Sequence, residues 1–201
     1  MSKKFRANNK CCSSSSSSSS SSCECTKRPK KVRITCGPQD QAEFCVPISF
    51  EQELVTNASG ALVPLSTVSQ NTNNVRGVLK LRFDAALSTA SYDLYVYNAT
   101  ATNDQVVAAH LHLGSASTNG PVVVNLFTGP QQNVDGLLSK GTITNNNIIN
   151  TSVATFPVIN TVASLYQAIR NQTIYVNVHS QLFPNGIIRG QIYTRNSCGC
   201  Q

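Results

Sequence analysis

His110, His112 and His179 are the only three histidines in the chain. The first two belong to Ala109-His110-Leu111-His112-Leu113-Gly114 and the third ends Tyr175-Val176-Asn177-Val178-His179. Both stretches read as β-strands. Successive side chains on a strand point to opposite faces, so His110 and His112 share one side while Leu111 and Leu113 take the other. A third imidazole from a second strand can join them. Neutral imidazoles in that arrangement suit copper or zinc, with three protein ligands and one open position. The same three rings can instead fill a polar corner of the sheet by bonding backbone and loop atoms. Asn177 lies on the His179 side of its strand, where it could support a ligand, and no Asp or Glu belongs to the constellation.

Three other groups of residues carry chemistry. Arg189 interrupts the apolar run Ile187-Ile188-Arg189-Gly190-Gln191. A guanidinium there reads as a structural clamp, paired bidentately with Asp84 or Asp93. The cysteines are confined to the ends: Cys11, Cys12, Cys23, Cys25, Cys36 and Cys45 lead, Cys198 and Cys200 close, and none falls between 46 and 197. A core without cysteine folds without disulfides. Thiols at both termini suit cross-linking between chains or tying of the ends within one. A zinc knot is disfavoured by the one-residue gaps in Cys23-x-Cys25 and Cys198-x-Cys200, since structural zinc sites use wider ones. The basic run Lys27, Arg28, Lys30, Lys31 and Arg33 is an electrostatic anchor for anionic surfaces. No aromatic residues interleave with it to stack on bases, which argues against nucleic acid.

The elements that must position these groups are mostly strands. Val78–Phe83 sets Leu79, Leu81 and Phe83 against Lys80 and Arg82. Tyr92–Tyr97, Val106–Leu113, Pro121–Phe127, Leu137–Ile143, Ile174–His179 and Ile187–Tyr193 follow, with Asn, Gly and Pro turns between them. One helix is expected at about 161–170, capped by Asn160 or Thr161, with Val162, Leu165 and Ile169 at helical spacing. Phe44–Phe50 reads as a first strand or a docking segment. Ten consecutive serines at 13–22, flanked by cysteines, have no apolar face to bury and behave as a spacer.

Charge divides the chain in the same way. Residues 1–35 carry nine Lys/Arg against one acid, a net +8, while the remainder carries seven basic and eight acidic side chains, a net −1. The body is neutral and the tail basic, which marks two regions with different roles. Charged residues make up only 12% of the composition, and Ser, Thr and Asn supply the polarity, as in surface-exposed β proteins. No run approaches the ~18 apolar residues of a membrane span. The charged start Met1-Ser2-Lys3-Lys4-Phe5-Arg6 is followed by no apolar stretch or cleavage site, so no cleaved signal peptide is expected. Asn-x-Ser/Thr triplets at Asn57, Asn98, Asn150 and Asn171 are what chance gives in so polar a chain.

Residues 77–193 resemble a chordin-type, or CHRD, domain. The resemblance rests on Ala109-His110-Leu111-His112-Leu113-Gly114, Asn119-Gly120-Pro121-Val122-Val123-Val124-Asn125-Leu126, Tyr175-Val176-Asn177-Val178-His179 and Pro184-Asn185-Gly186-Ile187-Ile188-Arg189-Gly190-Gln191, in that order. It implies an extracellular or surface-associated β module with no settled enzymatic activity. The His-x-His strand is also similar to that of Cu,Zn superoxide dismutases, but the further histidines of a bridged two-metal site are missing. The Cys-rich, Ser-rich tails resemble, in composition only, the coat and appendage subunits of bacterial endospores, which are released by mother-cell lysis and cross-linked through disulfides.

The expected fold is therefore all-β: an antiparallel β-sandwich, immunoglobulin-like or superoxide-dismutase-like, with one short helix and a disordered N-terminal tail. The expected divisions are a tail at 1–35, a connecting segment at 36–75 that can hold the first strands, a sandwich at 76–195 and a Cys-bearing end at 196–201. The expected function is a non-enzymatic structural subunit of an extracellular or spore-surface assembly, with other copies of itself as partners through disulfides. The alternative is a copper- or zinc-binding sandwich that uses the three histidines, with redox activity open to it. No other cofactor is expected.

Overall fold

The computed structural model describes residues 42–69, 74–99, 104–150 and 157–193. The expectations placed on the 1–35 tail, on Lys27, Arg28, Lys30, Lys31 and Arg33, and on Cys11, Cys12, Cys23, Cys25, Cys36, Cys198 and Cys200 lie outside these residues.

Within them the chain is almost entirely antiparallel sheet. The strands are β1 (Glu43–Ser49), β2 (Leu54–Thr56), β3 (Leu62–Pro64), β4 (Arg76–Phe83), β5 (Ala90–Tyr97), β6 (Val106–Leu113), β7 (Val122–Phe127), β8 (Gly136–Ile143), β9 (Ile174–Ser180) and β10 (Ile188–Gln191). Helix α1 is one turn, Leu65–Val68, and α2 spans Val162–Arg170. β2 and β3 form a separate hairpin, while the other eight strands run in the order β7-β6-β9-β10-β1-β4-β5-β8.

One face of this sheet is the core. Leu79, Leu81 and Phe83 of β4 are fully buried and alternate with Lys80 and Arg82. β1 contributes Phe44, Val46 and Ile48 to the same face, and β9 contributes Ile174, Val176 and Val178. Each such side chain stabilises the fold by about 1.5–3 kcal/mol relative to exposure. The sheet curls until its ends meet. Tyr92 of β5 donates its hydroxyl proton to the Leu126 carbonyl of β7 at 2.7 Å, although the two strands stand near opposite ends of the order. Beyond β8, Ile149 N–H donates to Val123 O of β7 at 2.8 Å. The all-β sandwich expected from the sequence is thus one continuous sheet folded on itself.

Helix α2 begins where its spacing predicts. Thr161 Oγ1 accepts from Ser164 N–H at 3.1 Å, and Ser164 Oγ accepts from Thr161 N–H at 3.0 Å, a reciprocal cap. Val162, Leu165, Ala168 and Ile169 face inward. Tyr166 adds its ring to those of Phe44 and Phe83, at 6.3 and 5.2 Å, tying the helix to β1 and β4.

The segment at 36–75, expected to connect the tail to the sandwich and able to hold the first strands, carries β1, β2 and β3 within its described residues. β1 is an interior strand, between β10 and β4. It holds Pro47 despite proline's lack of a donor. Pro47 O lies where a Cβ on Gly190 of β10 would come within 2.5 Å, so the proline nitrogen faces that same strand. The β1–β10 ladder is short there, with Ser49 opposite Arg189 as its one paired position. Cys45 on this strand is disulfide-bonded.

Candidate metal centre

Residues of β6, β9 and β10 that do not face the core face three covering segments: residues 50–54, the 114–121 loop and the 181–187 loop. The register places His110 opposite Asn177 and His112 opposite Tyr175. His179, two residues beyond Asn177, rises on the same side. The three histidines come together as the sequence spacing predicts: one ring nitrogen of each lies within 4.8 Å of the others'. His112 and His179 are buried, at 8% and 9% exposure, and His110 is partly exposed.

The surrounding carbonyls decide which nitrogen carries a proton. His112 Nδ1 is 2.9 Å from Gly120 O, and His179 Nδ1 is 2.9 Å from Pro184 O. A carbonyl only accepts, so both Nδ1 atoms donate and both Nε2 atoms are acceptors, that of His179 facing His110 Nδ1. His110 Nδ1 lies 3.1 Å from His179 Nε2. His112 Nε2 is buried and has no hydrogen-bond partner among the described residues. Such an orphan acceptor is costly unless something fills its lone pair. Tetrahedral zinc with bonds of about 2.0–2.1 Å sets its ligand atoms roughly 3.3 Å apart. The His110–His179 pair stands near that separation, and the three ligand atoms all lie within 4.8 Å of one another. Two of the three rings have their second nitrogen fixed by a carbonyl, as metal-ligating histidines commonly do.

Electrostatics keep the rings neutral, which is the ligating form. Burial pushes the His110 pKa down to about 4, helped by the charges of His179 and His112. Burial also lowers His112 to about 4, against the Gly120 hydrogen bond that raises it, with His179 and Arg189 adding to the depression. His179 is lowered by burial as well. At neutral pH protons do not compete for these lone pairs.

Arg189 is where the sequence expectation needs correction. It pairs with neither Asp84 nor Asp93, because β1 stands between β10 and β4. Asp84 is used within its own turn, accepting from Ser88 N–H, Thr89 N–H and Ser88 Oγ. Asp93 lies opposite Lys80 and Lys140 on the outer face of β5. Arg189 is a clamp nonetheless, on a different target. Its Nη1 donates to Asn119 Oδ1 at 2.7 Å, and its Nη2 donates to the carbonyls of Ser115 and Thr118 at 2.6 and 2.9 Å. The guanidinium stacks 3.4 Å above the Tyr175 ring. Tyr175 in turn lies parallel to His112, with centroids 5.0 Å apart.

One buried carboxylate on this side escapes the sequence reading. Glu53, fully buried, accepts from Leu54 N–H through Oε1 at 3.0 Å. Burial raises its pKa to about 7, against lowering by the Leu54 hydrogen bond, Arg189 and the Asn177 amide. No well-formed hydrogen bond joins it to Asn177, however. Glu53 Oε2 and Asn177 Oδ1 both lack partners among the described residues. The two atoms crowd Gly186, where a Cβ would come within 2.6 Å of each and where φ is +129°. Only glycine fits that turn.

Comparison with curated proteins and comparison with solved structures each returned no significant match. Residues 55–192 match the family of the CHRD domain. The match covers more than half of the chain and takes in both histidine strands, the Arg189 clamp and the loops over them. The chain belongs to the CHRD domain family.

Proposed function

We propose that this CHRD domain is a non-enzymatic module that holds one copper or zinc ion on His110, His112 and His179. One observation carries the reading: His112 Nε2 is a buried lone pair without a partner among the described residues, within a group of three neutral imidazoles whose nitrogens converge. The ion would satisfy that lone pair and displace no proton from rings that are already neutral. A fourth position, on the partly exposed His110 side, stays available to water or a small ligand. The test is the metal content of the purified full chain after incubation with excess Zn(II) or Cu(II) and desalting. Near-stoichiometric metal is expected, lost in His112→Ala. A wild-type chain that retains none overturns the reading.

A second reading concerns the termini, and the distribution of the cysteines favours it. Cys11, Cys12, Cys23, Cys25, Cys36, Cys198 and Cys200 flank a core region that lacks cysteine from 46 to 197. A tether of serines between thiols reaches a neighbouring subunit, so the domain would be a building block of an extracellular or spore-surface assembly. The basic run at 27–33 would anchor it electrostatically. Material isolated with thiols blocked should run as a reductant-sensitive ladder on gels. A monomer with and without reductant would remove the cross-linking role.

A further inference from the structure

The loop from 114 to 121 has no regular structure of its own, yet it supplies the Gly120 carbonyl that fixes the His112 tautomer. Two side chains from the strands beneath, Arg189 and Tyr175, grip its central part. Arg189 takes three of its acceptors at once: the Ser115 and Thr118 carbonyls and the Asn119 side chain. Tyr175 takes a donor, its hydroxyl accepting from Gly120 N–H at 3.1 Å. Gly120 is therefore gripped on its nitrogen by Tyr175 while its oxygen receives His112. The same Arg189 guanidinium lies on one face of the Tyr175 ring and His112 lies parallel to that ring as well. Arg189 thus reaches His112 by two routes, through the loop backbone and through the stack. His179 is held differently, by Pro184 O on the 181–187 loop.

We propose that Arg189 is a positioning residue for the metal site, fixing His112 in the Nδ1–H tautomer with Nε2 presented to the ion. This rests on the metal reading above. A clamp of this kind explains a fully buried arginine whose hydrogen bonds all go to one loop. Outer partners of ligating histidines typically change metal affinity 10- to 100-fold when altered.

The experiment uses the full chain. Nitrogen-15 NMR of the imidazoles in the metal-free protein at pH 7 should show His112 and His179 both as Nδ1–H tautomers. Arg189→Lys keeps the charge but cannot bridge three acceptors. It should shift His112 toward a tautomer mixture, leave His179 unchanged and weaken zinc binding at least tenfold. Tyr175→Phe, which keeps the ring and removes the acceptor for Gly120, should move His112 the same way to a smaller extent. If Arg189→Lys does not fold, Tyr175→Phe decides by the same criterion. An unmoved His112, or His112 and His179 moving together, overturns the positioning role even if zinc affinity falls. A wild type that takes up no zinc, with the selective His112 shift still seen in Arg189→Lys, overturns the metal reading and leaves Arg189 as the residue that fixes the His112 tautomer.

Discussion

The outer face of the sheet is two different surfaces. Over β4, β5 and β8 it is an ordinary solvent face. Pro47, Val78, Tyr95 and Leu137 line up across the strands, and the next row is Cys45, Lys80, Asp93 and Lys140. Charges there meet water, and opposite signs sit side by side. Over β6, β9 and β10 the same face is roofed. All seven residues of β9 and all four of β10 are buried, and Tyr175, Asn177, His179, Arg189 and Gln191 are held under loops. Strand pairing follows the same rules on both halves, and only the covering segments differ. A polar side chain that costs little under water becomes, once roofed, a group that must find a partner or shift its pKa. Glu53, His112, Asn177 and Gln191 are the roofed places where that demand is not fully met from within the described residues. The candidate site lies where burial left polar chemistry uncompensated.

Three substitutions test this contrast. The largest effect belongs to Gly186→Ala under the roof: the new Cβ meets Asn177 and Glu53 at 2.6 Å from a positive-φ backbone. It should lower stability in denaturant unfolding by about 2–4 kcal/mol. A loss below about 1 kcal/mol would show that the covering loop yields freely. Next is Glu53→Gln. A carboxyl whose folded pKa is raised from 4.5 to about 7 binds its proton more tightly folded than unfolded. Its contribution is therefore fully present below pH 4.5 and lost as pH rises through 7. Glutamine keeps the acceptor for Leu54 N–H and can donate to Asn177 Oδ1 at any pH. Its unfolding free energy should exceed that of wild type at pH 8, by on the order of 1–2 kcal/mol, with the difference shrinking at pH 5. Equal shifts at both pH values would mean that Glu53 does not titrate in this range. The smallest effect is expected on the open face. Lys80, 5.7 Å over the Tyr95 ring, is replaceable by alanine within about 0.5 kcal/mol. A loss matching Gly186→Ala would erase the distinction between the halves.

How much of this was legible in the sequence follows the same division. β4, with Leu79, Leu81 and Phe83 against Lys80 and Arg82, advertises its two faces by strict alternation, and its strand was readable within two residues. The α2 helix was equally plain from Thr161 and its apolar spacing. The three histidines could be placed together because His-x-His fixes a side and a second strand was evident. Arg189 was readable as a clamp, but its target was not. Choosing Asp84 or Asp93 assumed that opposite charge finds opposite charge, whereas β1 separates the strands and the loop carbonyls offered enough acceptors. β1 was readable at Phe44–Phe50 as a first strand or a docking segment, but not its place in the middle of the sheet, since an internal Pro47 reads against an interior strand. Glu53 had no local signal. It sits in Phe50-Glu51-Gln52-Glu53, where nothing distinguishes it from its exposed neighbour Glu51, and its burial is imposed by β9 and β10, more than a hundred residues away in sequence.

The position of β1 sets the order in which the sheet can be completed. It lies between β4, its partner along seven paired residues, and β10, the final described strand. The first and last strands of the domain thus meet in the middle of the sheet, and the hydrogen-bonded array stays split until the C-terminal strand arrives. During synthesis the paired β1–β4–β5 portion would wait with an open edge for β9 and β10, a long-range closure that makes folding slow relative to local pairing. A fragment cut at the start of the family match, residue 55, would lack the strand that joins the two halves and would leave two exposed edges where the intact chain has none.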